Sequence, residues 1–201
     1  MNSTDLAPKG QQQVALWMST FAFTVCFAVW TIFSIIGIKI KQELGLNDTQ
    51  FGLLVATPIL TGSLIRLALG IWTDQIGGRI VFTGVMLSAA AATWLLTTMS
   101  TYEGYLFAAL LVGIAGGSFA VGITYVSKWF PKEKQGTALG IFGAGNVGAA
   151  VTKLGAPLIM VAYGWHAVAK IWAIALAVTA VLFFLFTHDD PQHAQRRASG
   201  E

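Results

Sequence analysis

Two positive charges stand deep inside long apolar stretches of this sequence, Arg66 in the segment Phe51–Trp72 and Lys153 in Gly136–Val161, while Lys170 stands near the start of another, Ala167–Phe186. A charge at mid-membrane depth is costly and usually faces a water-filled cavity, a partner charge or a bound solute. Arg66 lies about 15 residues into its segment, which at a rise of about 1.5 Å per residue is near the middle of a bilayer. Its guanidinium is a planar fork of fixed donors that stays protonated. A planar trigonal oxyanion fits that fork as a carboxylate does. The apolar spans contain no acidic residue to neutralise it. The choice is between a structural ion pair and an exogenous anion, and the missing acid favours the anion.

Lys153 follows Asn146 by two helical turns, so both project from one face. Burial disfavours a charged ammonium and an arriving anion favours it, a physical route by which anion uptake and proton uptake could be coupled. The competing reading is that Lys153 snorkels along its stem to the outer interface. Gly136, Gly140, Gly143, Gly145 and Gly148 share this helix. Each costs about 1 kcal/mol of helix propensity relative to Ala, and small residues are retained where membrane helices approach closely. They serve packing, or a thin wall beside a small solute with Asn146 as donor, or both.

The elements that must hold these groups follow from composition. Of 201 residues, 55% are hydrophobic and 10% charged, against about 25% charged in soluble domains. A bilayer core of about 30 Å needs about 20 apolar residues per helix, and roughly six such runs are present: Val14–Ile38, Phe51–Trp72, Ile80–Met99, Gly104–Ser127, Gly136–Val161 and Ala167–Phe186. The expectation is an all-α membrane protein with three regions. Residues 1–13 form a cytoplasmic tail, 14–186 a six-helix transmembrane bundle, and 187–201 an irregular cytoplasmic tail or the start of an interdomain linker. The first run is longer than a cleavable signal peptide and is read as a retained helix. Asp48 is a candidate cap for the second helix, and Tyr163-Gly164-Trp165-His166 marks an interfacial turn with Lys170 just beyond it.

Loop charge sets orientation. With the amino terminus cytoplasmic, the inner segments hold Lys9, Arg79, Lys128, Lys132, Lys134, Arg196 and Arg197, and the outer loops chiefly Lys39 and Lys41. Both termini are therefore expected inside. Cys26 is the single cysteine, so no internal disulfide framework exists. No basic stripe with interleaved aromatics points to nucleic acid. No paired carboxylates, metal-spaced His/Cys set or Ser-His-Asp grouping lies in the helices, so the expectation is no catalytic residue, no metal and no cofactor.

Between the second and third runs lies Gly70-Ile71-Trp72-Thr73-Asp74-Gln75-Ile76-Gly77-Gly78-Arg79. Taken alone this is a tight glycine turn with solvated charges. It also resembles the signature loop of the major facilitator superfamily at the matching position. The resemblance implies that Asp74 and Arg79, with Gly70, Gly77 and Gly78, form a gating loop. Gln75 stands where that family usually carries a base.

Further along, Gly143-Ala144-Gly145-Asn146-Val147-Gly148 resembles the signature of the nitrate/nitrite porter (NarK-type) family in its fifth helix. Gln50-Phe51-Gly52-Leu53-Leu54 with Pro58, Gly62 and Arg66 resembles that family's second helix, and Gly116-Gly117-Ser118-Phe119 its fourth. Trp129 through Gly136 resembles the loop before the signature helix. The similarity runs from about residue 14 to about 186. It implies the amino-terminal bundle of a transporter in the bacterial inner membrane, with Arg66, Phe119, Gly143, Gly145 and Asn146 as substrate-binding residues and nitrate or nitrite as substrate. Ser118 stands where many members carry Asn, and Lys153 where many exchangers carry Gln. The Thr152-Lys153 version resembles the nitrate/proton symporters, so Lys153 is the proton-coupling candidate.

Full members of the family have two such bundles with the substrate between them. The other half, fused in the same gene or supplied as a separate chain, is thus an implied partner, alongside protons and the lipid bilayer. The alternatives are nitrate/nitrite antiport, another small-anion facilitator, and a half-transporter inactive alone.

Overall fold

The computed structural model describes residues 7–199, with side chains through Arg196. Residues 1–6 of the expected amino-terminal tail, and the Arg197 side chain counted in the inner charge, lie outside what is described. Among the described residues, six helical spans are long and apolar enough to cross a membrane. Three of them are broken. The first consists of α1 (Lys9–Trp30) and α2 (Phe33–Leu44). The second and third are α3 (Asp48–Ile76) and α4 (Gly78–Leu96). The fourth joins α5 (Tyr102–Val112) to α6 (Ser118–Ser127) through a 3₁₀ turn at Gly113–Gly117. The fifth joins α7 (Lys132–Gly143) to α8 (Gly148–Tyr163) through another at Ala144–Val147. The sixth is α9 (Trp165–Phe186), followed by α10 (Pro191–Ser199).

The spans outrun the apolar runs at several ends. The polar stretches Lys9–Gln13, Lys39–Glu43 and Lys132–Gln135 continue the helices, since backbone leaving lipid keeps its hydrogen bonds within the helix. The cap of α3 is Asn47 rather than Asp48. Asn47 Oδ1 accepts from the Gln50 N–H at 2.8 Å while Gln50 Oε1 accepts from the Asn47 N–H at 3.0 Å, a reciprocal capping box. Asp48 instead occupies the first turn and pairs with Lys41 at 2.5 Å. The segment expected to be irregular after residue 187 contains α10, whose start is fixed by Asp190 Oδ1 accepting from the His193 N–H at 3.0 Å.

Within the bundle, α4 lies along α9. α1 packs on α8, α9 and the Ala144–Val147 turn, and α3 packs on α5, α6 and the Gly113–Gly117 turn. Coverage is uneven. In the apolar stretches of α3 and of the α7–α8 span only 28% and 22% of residues are buried, against 44% or more in the other four. Large apolar side chains such as Leu60, Leu64, Leu67, Leu154, Leu158 and Val161 stay exposed there. Arg66 and Lys153 ride on these two least-covered spans.

Candidate functional site: a guanidinium held by neutral groups

Arg66 is half-buried on α3. Its Nε donates to the Gly116 carbonyl at 3.2 Å. That carbonyl belongs to the 3₁₀ turn Gly113–Gly117, where the chain leaves α-helical bonding and a backbone oxygen can accept from a side chain. The guanidinium carbon lies 5.4 Å from the Phe119 ring centre and 5.6 Å from that of Trp30, within range of cation–π attraction. No carboxylate among the described residues pairs with Arg66. Its charge is thus stabilised by a carbonyl dipole and two ring faces, none of which cancels it.

Phe119 begins an aromatic layer. Its ring is 5.5 Å from Phe23 and 6.2 Å from Phe142, and Phe23 stacks on Phe142 at 4.8 Å. The structure therefore brings Arg66 and Phe119 together. Gly143 and Asn146 sit at the Ala144–Val147 turn, and Asn146 is exposed with its Nδ2 donating to the Gly143 carbonyl at 2.8 Å. Its side chain ties down its own turn rather than reaching Arg66.

The glycines of this turn divide by environment. A Cβ at Gly145 would come 2.5 Å from Phe23 Cδ1, and one at Gly148 would collide with the Thr24 carbonyl, whereas one at Gly143 meets nothing within 4 Å. Gly145 and Gly148 allow close contact with α1, and Gly143 faces open space.

Lys153 is exposed on this bundle, so the burial that one of its two readings requires is not supplied by these six helices. Its side chain lines a cavity of about 330 Å³ with Phe27, Trp30, Ser34 and Ile59. The neighbouring Thr152 is the buried member of the pair, donating to the Ala28 carbonyl at 2.6 Å and accepting from Trp172 Nε1 at 2.9 Å.

At the opposite level, α3 passes into α4 through Gly77 alone, at φ +102°, a backbone region that side chains rarely adopt. A Cβ at Gly78 would come 2.5 Å from Tyr125 Cδ2, so both glycines are needed for so tight a corner. Gly70 has open space at its Cβ position. Asp74 and Arg79 take separate partners. Asp74 pairs with Lys128 of the α6–α7 connection at 2.8 Å. Arg79 donates to the Phe184 carbonyl at 3.1 Å and 2.6 Å, with its guanidinium 4.2 Å from the Phe184 ring centre. A cavity of about 510 Å³ opens beside Asp74 and Lys128.

Sequence reasoning counted Lys128 among the inner charges but missed it as the partner of Asp74, and it missed Trp30 altogether. The signal for Trp30 exists only in space, in the glycines that flank its ring.

Residues 18–201 match the model of the Major Facilitator Superfamily. Over 195 residues the chain is 43% identical to a protein of Thermus thermophilus named as a probable nitrate/nitrite antiporter NarK1, covering 90% of this chain and 44% of that one. It is 34% identical to the nitrite extrusion protein of Bacillus subtilis, covering 88% and 45%. Identity is 32% to a probable nitrate transporter NarT of Staphylococcus carnosus, covering 92% and 48%. The chain thus spans about half the length of the relatives it matches. In fold it is similar to a bacterial homologue of the human lysosomal transporter Spinster, solved inward-facing and occupied, with a TM-score of 0.76, 18% identity, and coverage of 92% of this chain and 46% of that one.

Proposed function

The chain belongs to the Major Facilitator Superfamily, and from that premise we propose that it is the amino-terminal bundle of a transporter for nitrate or nitrite. The observation that carries this reading is Arg66, a guanidinium in the middle of a span that only neutral groups hold. The names of its relatives support the same substrates.

In this reading a planar anion accepts hydrogen bonds from the terminal nitrogens of Arg66 and rests against the Phe119 ring. Gly143, Gly145 and Asn146 form the wall nearest it. Gly143 offers close approach and Asn146 its remaining donor, while Gly145 holds the turn against α1. The second wall comes from another six-helix bundle, from the same gene or a separate chain, seated on the thinly covered α3 and α7–α8 spans. Asp74, Arg79 and the glycines Gly70, Gly77 and Gly78 form the gating loop on the cytoplasmic side of the bacterial cell membrane, where both termini also lie. Asp74 exchanges its bond to Lys128 as the bundles rock.

Lys153 favours proton symport, because the Thr152-Lys153 pair resembles that of the nitrate/proton symporters and its amine lines a cavity next to Trp30. The relative named as an antiporter favours exchange instead. Reconstitution of the complete two-bundle protein in liposomes separates these. Symport predicts nitrate uptake driven by an imposed inward proton gradient, and antiport predicts uptake driven by internal nitrite. Equal competition by chloride and formate would make it a broader small-anion facilitator. Transport of neither nitrate nor nitrite would sink the proposal.

A further inference from the structure

α1 ends at Trp30, and the carbonyls of its last turn take side-chain donors: Thr31 Oγ1 to Phe27 at 3.0 Å and Thr152 Oγ1 to Ala28 at 2.6 Å. A helix end in an apolar setting needs such partners, so the break and the position of Trp30 are fixed together. The Trp30 indole N–H donates to the Pro58 carbonyl of α3 at 2.8 Å. Its ring fits there because two neighbours lack side chains. A Cβ at Gly62 would lie 2.8 Å from Nε1, and one at Gly116 2.5 Å from Cε2. Gly116 is also the residue whose carbonyl accepts from Arg66.

The indole meets two features of the bundle. Arg66 lies 5.6 Å from the ring centre. The same ring lines the cavity of about 330 Å³ that Lys153 opens into, and Arg66 is not among that cavity's lining residues. We infer that Trp30 is a positioning and selectivity residue, holding the Arg66 fork in place and separating the anion site from the Lys153 cavity so that only small anions fit. This inference rests on the reading of Arg66 as an anion ligand.

The test measures initial rates of nitrate uptake by the complete two-bundle protein, with acetate as the larger competitor, for the parent, Trp30→Phe and Trp30→Ala. Trp30→Phe keeps a ring face but loses the N–H, and the nitrate KM is expected to rise about 2- to 10-fold with Vmax largely retained, the size of one neutral hydrogen bond. Trp30→Ala loses ring and wall, and KM is expected to rise about tenfold or more while acetate begins to compete. A merely structural role would reduce folded protein and Vmax without moving KM or acetate exclusion. If Trp30→Ala does not fold, the KM and Vmax of Trp30→Phe decide. Unchanged KM and unchanged acetate exclusion, in a parent that takes up nitrate, overturn the inference. A parent that takes up neither nitrate nor nitrite sinks the substrate reading and this inference with it.

Discussion

Arg66 donates from Nε to the Gly116 carbonyl 3.2 Å away, and its terminal nitrogens make no hydrogen bond to the described residues. One edge of the guanidinium is spent on fixing orientation, and the other keeps its donors and its charge. This division of labour orients a ligand arginine without neutralising it, because a backbone carbonyl carries a dipole rather than a charge.

Arg66→Ala in the complete protein should abolish measurable nitrate uptake at normal substrate levels. Charge-assisted hydrogen bonds contribute about 1.5–3 kcal/mol each, so losing two corresponds to about 100-fold or more in apparent affinity. Arg66→Lys should recover little, because a point ammonium lacks the planar fork. Uptake by Arg66→Ala with a parental KM would remove Arg66 from the site.

Gly143 and Gly148 should respond oppositely to the same change. Gly148→Ala drives a methyl into the Thr24 carbonyl of α1, and such overpacking costs about 1–3 kcal/mol, visible as a lower melting temperature in detergent. Gly143→Ala meets open space, so stability should hold or rise by about 1 kcal/mol from helix propensity while nitrate affinity falls. A stable Gly143→Ala protein with unchanged affinity would take Gly143 out of the substrate wall.

For the gating loop, Asp74→Asn removes the partner of Lys128. Asp74 is 62% exposed, so the pair should contribute under about 1 kcal/mol to stability, and the melting temperature should barely move. If the pair has to form and break during transport, Vmax should drop several-fold with KM nearly unchanged. Parental Vmax would make it an ordinary surface ion pair.

Lys153→Gln tests the coupling assignment. Nitrate uptake should lose its response to an imposed proton gradient while nitrate KM changes little. Lys153→Arg should lose it too, because a guanidinium keeps its proton. A full response to the gradient in either variant would move proton coupling elsewhere.

The six spans, the all-helical class and the family were legible in the sequence, because the bilayer reads composition locally. A run of about 20 apolar residues needs no knowledge of its neighbours to be a span, and an arginine such as Arg66 inside one announces itself by its cost. The glycines at 143–148 and 77–78 were likewise visible as motifs. Which of them serve packing and which face open space was not, since that depends on Phe23, Thr24 and Tyr125 arriving from other helices. The breaks after Trp30, at Gly113–Gly117 and at Ala144–Val147 also escaped, because continuous apolar composition hides a change in backbone bonding. The tertiary structure alone decided what surrounds each charge: the Gly116 carbonyl and the Trp30 ring wedged between Gly62 and Gly116 at Arg66, and Lys128 at Asp74. Each joins residues far apart in the chain, and such pairings are set by how helices pack, which no local pattern encodes.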